Sequence, residues 1–299
     1  MKLGILYPST EIESSDRSAR AFCQGAEELG YDFIALGDHV LAASRDREEP
    51  LWGPYDETDA FHDPFVLAGF MAALTQRISF STSVLILPQR QTALVARQAA
   101  DAAILSGNRL RLGVGVGWNT VEYEAMGQPF DRRGRRANDQ IPLLRRLWRE
   151  GVITHEGTTE RIDRAALMPR PTADIPIWIG GNGDAAFRRA AAHADGFMFA
   201  GSIANARRGL DRLRVQLETS ERTDAAEFGL ELVMIPPAPD RGEKRWPKSR
   251  PEFLEGVAAT IDAWRELGGT HATVFTTWMG FAAVDEHLAY AERIRGLVD

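Results

Sequence analysis

Asp38 and His39 end the apolar run FIALGDH. A histidine at the end of a buried strand can hold or pass a proton near neutral pH, and a neighbouring carboxylate can tune it. The same pair equally suits a histidine packed and hydrogen-bonded at a strand end. Thr82-Ser83-Val84, late in ISFSTSVLI, sets small polar residues before a β-branched one. That order suits a bulge pushing backbone toward a flat ligand, or an ordinary buried strand. Gly113, Gly115 and Gly117 alternate along RLRLGVGVGW and so share one strand face. Three missing side chains leave room for a ligand or for another backbone. Trp118 follows, placed to stack on a ring or to cap the strand end. Gly180, Gly181, Asn182 and Gly183 lead from IPIWIG into a helix opening near Asp184. Free backbone N–H groups there suit a phosphate, and a tight turn is the plainer use. The charge of Asp184 counts against an anion. Arg132, Arg133, Arg135 and Arg136 suit an anionic cofactor tail, a substrate carboxylate or a solvated helix start.

These residues need a scaffold, and the chain's alternation supplies one. Apolar or β-branched runs recur at 3–7, 33–37, 78–86, 109–115, 175–180, 196–200, 230–235 and 272–277. Between them lie longer segments with helical spacing, the last ending near residue 298. Strand and helix alternating in this way predict parallel βαβ units. The count and the length of 299 residues favour a closed (β/α)₈ TIM barrel over an open doubly wound sheet. Gly30 and Gly107 sit where left-handed helix C-caps are expected, and Asp63-Pro64 reads as an N-cap followed by a first-turn proline. Segments 40–62, 151–174 and 236–250 exceed what barrel connections need. The first and third leave strand C-terminal ends, where barrel sites are built, which makes them lid candidates or surface decoration. Trp52, Trp118, Trp246 and Trp278 are candidates for an aromatic pocket wall.

Several chemistries find no support. The net charge of −7 provides no global basic field for nucleic acid or an anionic membrane. One cysteine, Cys23, excludes an internal disulfide framework and Cys-based zinc sites, and fits a reducing cytoplasm. No apolar run approaches a membrane span, and the N-terminus lacks the pattern of a signal peptide. The six histidines show no metal-ligand spacing, and no metal is expected. There is no GxSxG elbow, no HExxH and no GxxxxGK[ST]. The GxGxG at 113–117 is a poor Rossmann fingerprint, because it lacks the third spaced glycine. Glu122 and Glu124 read as a polar helix face, from which a glycosidase pair is not distinguishable.

The order of motifs resembles the luciferase-like superfamily over nearly the whole chain. The resemblance is carried by LGILYP, FIALGDHV, DPFVLAGFMAALTQRISFSTSVLILPQRQ, ARQAADAAILSGNRLRLGVGVGWNTVEYEAMGQPFDRRGRR and PIWIGGNGDAAFRRAAAHADGF. The third and fourth blocks together look like the branch of coenzyme F420-dependent oxidoreductases. The resemblance implies one (β/α)₈ barrel domain over residues 1–299, with insertions at its C-terminal face.

It also implies a flavin or deazaflavin at the strand C-terminal ends. Asp38 and His39 would lie at the reactive ring, with His39 the proton relay or a polar group beside the ring. A non-proline cis peptide at Ser83-Val84 would support the ring from behind. Gly115, Gly117 and Trp118 would border it, and Gly180, Gly181, Asn182 and Gly183 would hold phosphate. F420 is the expected cofactor and hydride transfer to or from a small organic substrate the expected reaction. The alternatives are an FMN-dependent monooxygenase and a non-catalytic flavin-binding protein. A cytoplasmic homodimer acting on neither nucleic acid nor membrane completes the expectation. The chain departs from related sugar-phosphate dehydrogenases. Trp118 stands where they keep a catalytic glutamate and Ile203 where they keep a phosphate-binding lysine. Val116 stands in place of luciferase's phosphate-binding arginine.

Overall fold

The computed structural model describes residues 1–49, 53–220, 222, 224–236 and 251–298. Its elements run β1 (Lys2–Leu6), α1 (Asp16–Glu28), β2 (Phe33–Leu36), α2 (Pro64–Ala72), β3 (Ser79–Thr82), β4 (Leu85–Ile86) and α3 (Thr92–Leu105). Next come β5 (Leu110–Gly115), α4 (Thr120–Ala125), α5 (Arg133–Arg149), β6 (Ile153–Glu156) and β7 (Arg161–Ala165). The chain continues through β8 (Ile177–Gly180), α6 (Asp184–His193), β9 (Gly196–Ala200), α7 (Ile203–Thr219), β10 (Gly229–Met234), α8 (Pro251–Glu266), β11 (His271–Val274) and α9 (Val284–Val298).

The strands close into a parallel barrel. β2 pairs with β1 and β3, β3 with β5, and β5 with β8. The circle continues through β9 and β10 to β11, which returns to β1. β4 prolongs the third barrel strand along β5. This is the expected (β/α)₈ barrel, and each predicted strand run forms a barrel strand.

Side-chain alternation builds two apolar layers. One cluster, including Ile5, Ile34, Phe80, Leu112 and Ile177, packs outward against the helices. A smaller one, with Leu6, Ala35, Met198, Val233 and Phe275, fills the barrel. Below it Arg111 lies between the rings of Phe33 and Trp178, at 4.5 and 4.2 Å. Arg111 reaches Glu231 at 2.5 Å and Ser81 at 3.1 Å, so the buried charge is paired. This plug closes the barrel bottom and leaves the top for a site.

The caps follow the sequence. Asp63 Oδ1 accepts from the amides of Phe65 and Val66 at 2.9 and 3.1 Å, with Pro64 in the first turn of α2. Gly30 and Gly107 take φ of +77° and +69° just past α1 and α3. Segment 151–174 is not featureless. β6 and β7 form an antiparallel hairpin in it, tied to α5 by an ion pair of 2.8 Å between Arg136 and Glu160. Segment 236–250 lies outside the described residues except for Pro236, as do Trp52 and Trp246.

Candidate active site

The barrel mouth opens into a cavity of about 440 Å³, lined by residues from every barrel strand's C-terminal end. That is a normal size for a cofactor or small-ligand site, at the face where this architecture carries chemistry.

Its floor on one side is made by a bulge. Ser81 pairs with Arg111 but Leu85 pairs with Val114, so the third barrel strand holds one residue more than β5 over that stretch. The Ser83-Val84 peptide within the bulge is cis, as the resemblance implied. Val84 then lies over two glycines. A Cβ on Gly115 would come within 2.6 Å of Val84 Cγ2, and one on Gly180 within 2.8 Å of Val84 Cγ1. Gly113 likewise gives way to the Thr82 carbonyl, and Gly117, at φ +62°, to Ile86. Of the two uses open to these glycines, the space beside Gly115 and Gly117 is taken by a neighbouring strand, and both glycines still line the cavity. They admit the β3–β4 bulge, and Val84 offers its apolar surface to the cavity.

His39 stands on the neighbouring strand end. Its Nδ1 lies 3.0 Å from Glu122 Oε1, which fixes Nδ1–H as donor and leaves Nε2 as the second nitrogen. Glu122 comes from α4 and is 1% exposed. Oε1 also accepts from the amides of Val40 and Leu41 at 2.9 and 3.3 Å, and Oε2 from Gln89 Nε2 at 3.1 Å. Burial opposes ionisation of this carboxyl, but the bonds from His39, Gln89 and the Leu41 amide outweigh it and hold it below the ordinary glutamate value. Tyr55, Phe61 and Trp118 enclose the imidazole, with ring centroids at 5.2, 4.8 and 5.6 Å. Two of these rings, Tyr55 and Phe61, come from segment 40–62 and line the cavity.

Asp38 has a different task from the one its position suggested. Its Oδ1 is 2.6 Å from Arg90 Nη2 and its Oδ2 accepts from the Ile86 amide at 2.9 Å. Arg90 also bonds Asp63 at 3.2 Å. Burial works against the arginine's charge, and the two aspartates more than restore it, holding it above its usual value. The carboxylate that tunes His39 is therefore Glu122, and Asp38 locks β4 and the following turn to the end of β2.

The other candidates divide. Gly180, Gly181 and Asn182 line the cavity, as do Ser83, Val84, Gly115, Gly117 and Trp118. Gly183 does not; it caps α6, its carbonyl accepting from the amides of Ala186 and Phe187. Asp184 is engaged by Arg212 Nη2 at 2.5 Å. The arginine cluster stays away from the cavity. Arg132 and Arg135 are exposed, Arg133 stacks 3.7 Å from the Phe130 ring centroid, and Arg136 donates to the Arg90 carbonyl at 3.2 Å. Trp278 packs on Phe275 and Tyr55 behind the rim. Among the described residues no group of three or more His, Cys, Asp or Glu is placed to hold a metal. Nor is any described helix long and apolar enough to cross a membrane.

Sequence reasoning missed Glu122, Gln89 and Arg90. Glu122 follows an N-cap, Asn119, whose Oδ1 accepts from the Val121 amide at 3.1 Å. With Glu124 it reads as a polar helix face, and nothing local shows that it turns to a strand end 83 residues away.

This barrel matches known proteins. The model of the luciferase-like monooxygenase family matches residues 1–241. The chain belongs to that family. An uncharacterized protein of Mycobacterium tuberculosis is 35% identical over 219 residues, covering 71% of this chain and 75% of that one. An F420-dependent glucose-6-phosphate dehydrogenase of Intrasporangium calvum is 32% identical over 181 residues, 58% of this chain and 50% of that one. The solved structure of monooxygenase RslO1 from Streptomyces bottropensis shares the fold at a TM-score of 0.75 and 17% identity, covering 99% and 98% of the two chains. Among these luciferase-like proteins are both F420-dependent dehydrogenases and monooxygenases.

Proposed function

We propose that this luciferase-like chain is an oxidoreductase that passes hydride between deazaflavin F420 and a small organic substrate. The observation that carries the reading is His39, held through Nδ1 by a buried Glu122 at the rim of an apolar cavity. A group so fixed can take or give a proton at Nε2 while hydride moves elsewhere.

The residues present suit a flat ring. Val84 and the Ser83-Val84 peptide form a shelf seated on Gly115 and Gly180, and Trp118 borders it. Gly180, Gly181 and Asn182, with the α6 N-terminus at Gly183, are the candidate holders of the cofactor's phosphate. When bound, the deazaflavin would supply the carbon that accepts or gives hydride. The chain's own groups do the rest. Glu122 sets the His39 tautomer and opposes its rotation. Tyr55 and Phe61 pack edge-on against the imidazole and restrict its movement. The similarity to an F420-dependent dehydrogenase supports this choice of cofactor.

The second reading is an FMN-dependent monooxygenase on the same shelf, favoured by the family that the chain belongs to and by RslO1. Equilibrium titration of the purified protein with F420 and with FMN decides between them. Saturable F420 binding is expected; tight FMN binding with no measurable F420 binding would overturn the proposal. A non-catalytic cofactor binder is the third reading. Under the proposal His39→Ala abolishes turnover while the cofactor still binds.

A further inference from the structure

The cavity has two walls of unlike chemistry, and the barrel order says how they face each other. Around the circle the third, fourth and fifth barrel strands (β3–β4, β5, β8) carry the Val84 shelf. The seventh, eighth and first (β10, β11, β1) lie opposite, since the eighth of eight strands stands across from the fourth. The opposite wall presents Leu6, Val233, Ile235, Phe275 and Thr277.

Two groups on that wall, Tyr7 and Thr277, have a buried hydroxyl with no hydrogen-bond partner. Tyr7 packs its ring on Phe22 in the outward cluster, which leaves Thr277. It is 4% exposed, it lines the cavity, and its Oγ1 is buried with no hydrogen-bond partner. A buried hydroxyl left unmade is costly, so a ligand atom is its natural partner. Around it the wall is mainly apolar, with Ser9 and Thr10 its other small hydroxyls, and among the described residues no lysine or arginine lines the cavity. A phosphate or carboxylate entering here would lose hydration with no cation among the described lining residues to repay it.

We infer that the substrate is an uncharged molecule with an apolar, ring-sized body and one carbonyl or hydroxyl oxygen, and that Thr277 is the specificity-determining residue that bonds this oxygen. The inference rests on the reading above in setting the cofactor on the Val84 side. The substrate then fills the space between shelf and wall. Its oxygen is fixed by Thr277 Oγ1, while its body packs on Leu6 and Phe275.

Three probes sharing one ring system test this: 2-acetylnaphthalene, 2-naphthoate and 2-ethylnaphthalene. Their binding to the full chain, alone and saturated with cofactor, is followed by quenching of tryptophan fluorescence. The neutral ketone is expected to bind at least tenfold more tightly than the carboxylate. Thr277→Val, close in shape, should weaken the ketone about fivefold, the worth of one hydrogen bond, and leave 2-ethylnaphthalene unchanged or tighter. A merely structural role for Thr277 would move all three probes together. Preference for the carboxylate, an unchanged ketone affinity in Thr277→Val, or no binding of any probe at millimolar concentration overturns the inference. Failure of F420 to bind, with the ketone preference intact, would sink the cofactor reading and leave this one standing.

Discussion

Glu122 and His39 are 83 residues apart in the chain and 3.0 Å apart in space, joined across the barrel mouth by a bond from Nδ1 to Oε1. The same carboxylate also holds the Val40 and Leu41 amides, so it fixes both the imidazole and the backbone that carries it.

Replacing that carboxylate should therefore disturb catalysis more than binding. Glu122→Gln is expected to lower turnover tenfold or more, within the range that positioned acid–base groups contribute. Cofactor affinity should change by less than about threefold, because Glu122 stands beside the shelf and not in it. Steady-state kinetics and the ¹⁵N resonances of the His39 ring check this together. A variant with full turnover and an unchanged Nδ1–H signal would remove Glu122 from the role.

Val84 makes a second, reciprocal prediction. Gly115→Ala and Gly180→Ala each force a methyl against it, and overpacking of this kind costs about 1–3 kcal/mol. Adding Val84→Ala should return much of that loss, because the clash is with this side chain. Urea denaturation of the single and double variants measures the coupling. Additive losses would mean that the glycines serve something other than Val84.

The Asp38–Arg90 pair should behave as a buried ion pair whose halves are unequal. Arg90→Met strands the 4%-exposed Asp38 and should cost about 3–5 kcal/mol. Asp38→Asn still accepts from Arg90 and Ile86, and Arg90 keeps Asp63, so its cost should be nearer 1–2 kcal/mol. Denaturant midpoints at neutral pH decide. Equal losses would contradict the geometry.

Acid should weaken the fold before it touches most carboxylates. Burial, then Arg111 and Lys2, lower His271 to about 3, and burial lowers His287 to about 4. Below the ordinary histidine value of 6.5 the unfolded chain takes up protons that the folded chain refuses. Stability from these two groups is thus full above pH 6.5 and falls as pH drops toward 4. His287→Gln, able to keep the bond to Thr276, should flatten that decline. Urea midpoints between pH 7.5 and 4.5 test it, and an unaltered slope would exclude His287 as a source.

Local pattern determined the scaffold of this protein. Strand and helix periods are written in side-chain polarity, so the eight strand runs, the caps at Asp63, Gly30 and Gly107, and the motifs at 38–39, 83–84 and 180–182 were legible residue by residue. Tertiary structure decided what those motifs do. The alternating glycines could admit a ligand or a neighbour, and only the registers of β4 and β8 against β5 put Val84 into the space. Asp38 and His39 are adjacent in sequence, yet β2 sends one to Arg90 and the other to Glu122. Those partners come from the connections after the third and fourth barrel strands, Arg90 from a turn and Glu122 from α4. Barrel closure, a sum of long-range pairings with no local signature, is what brings them to the second.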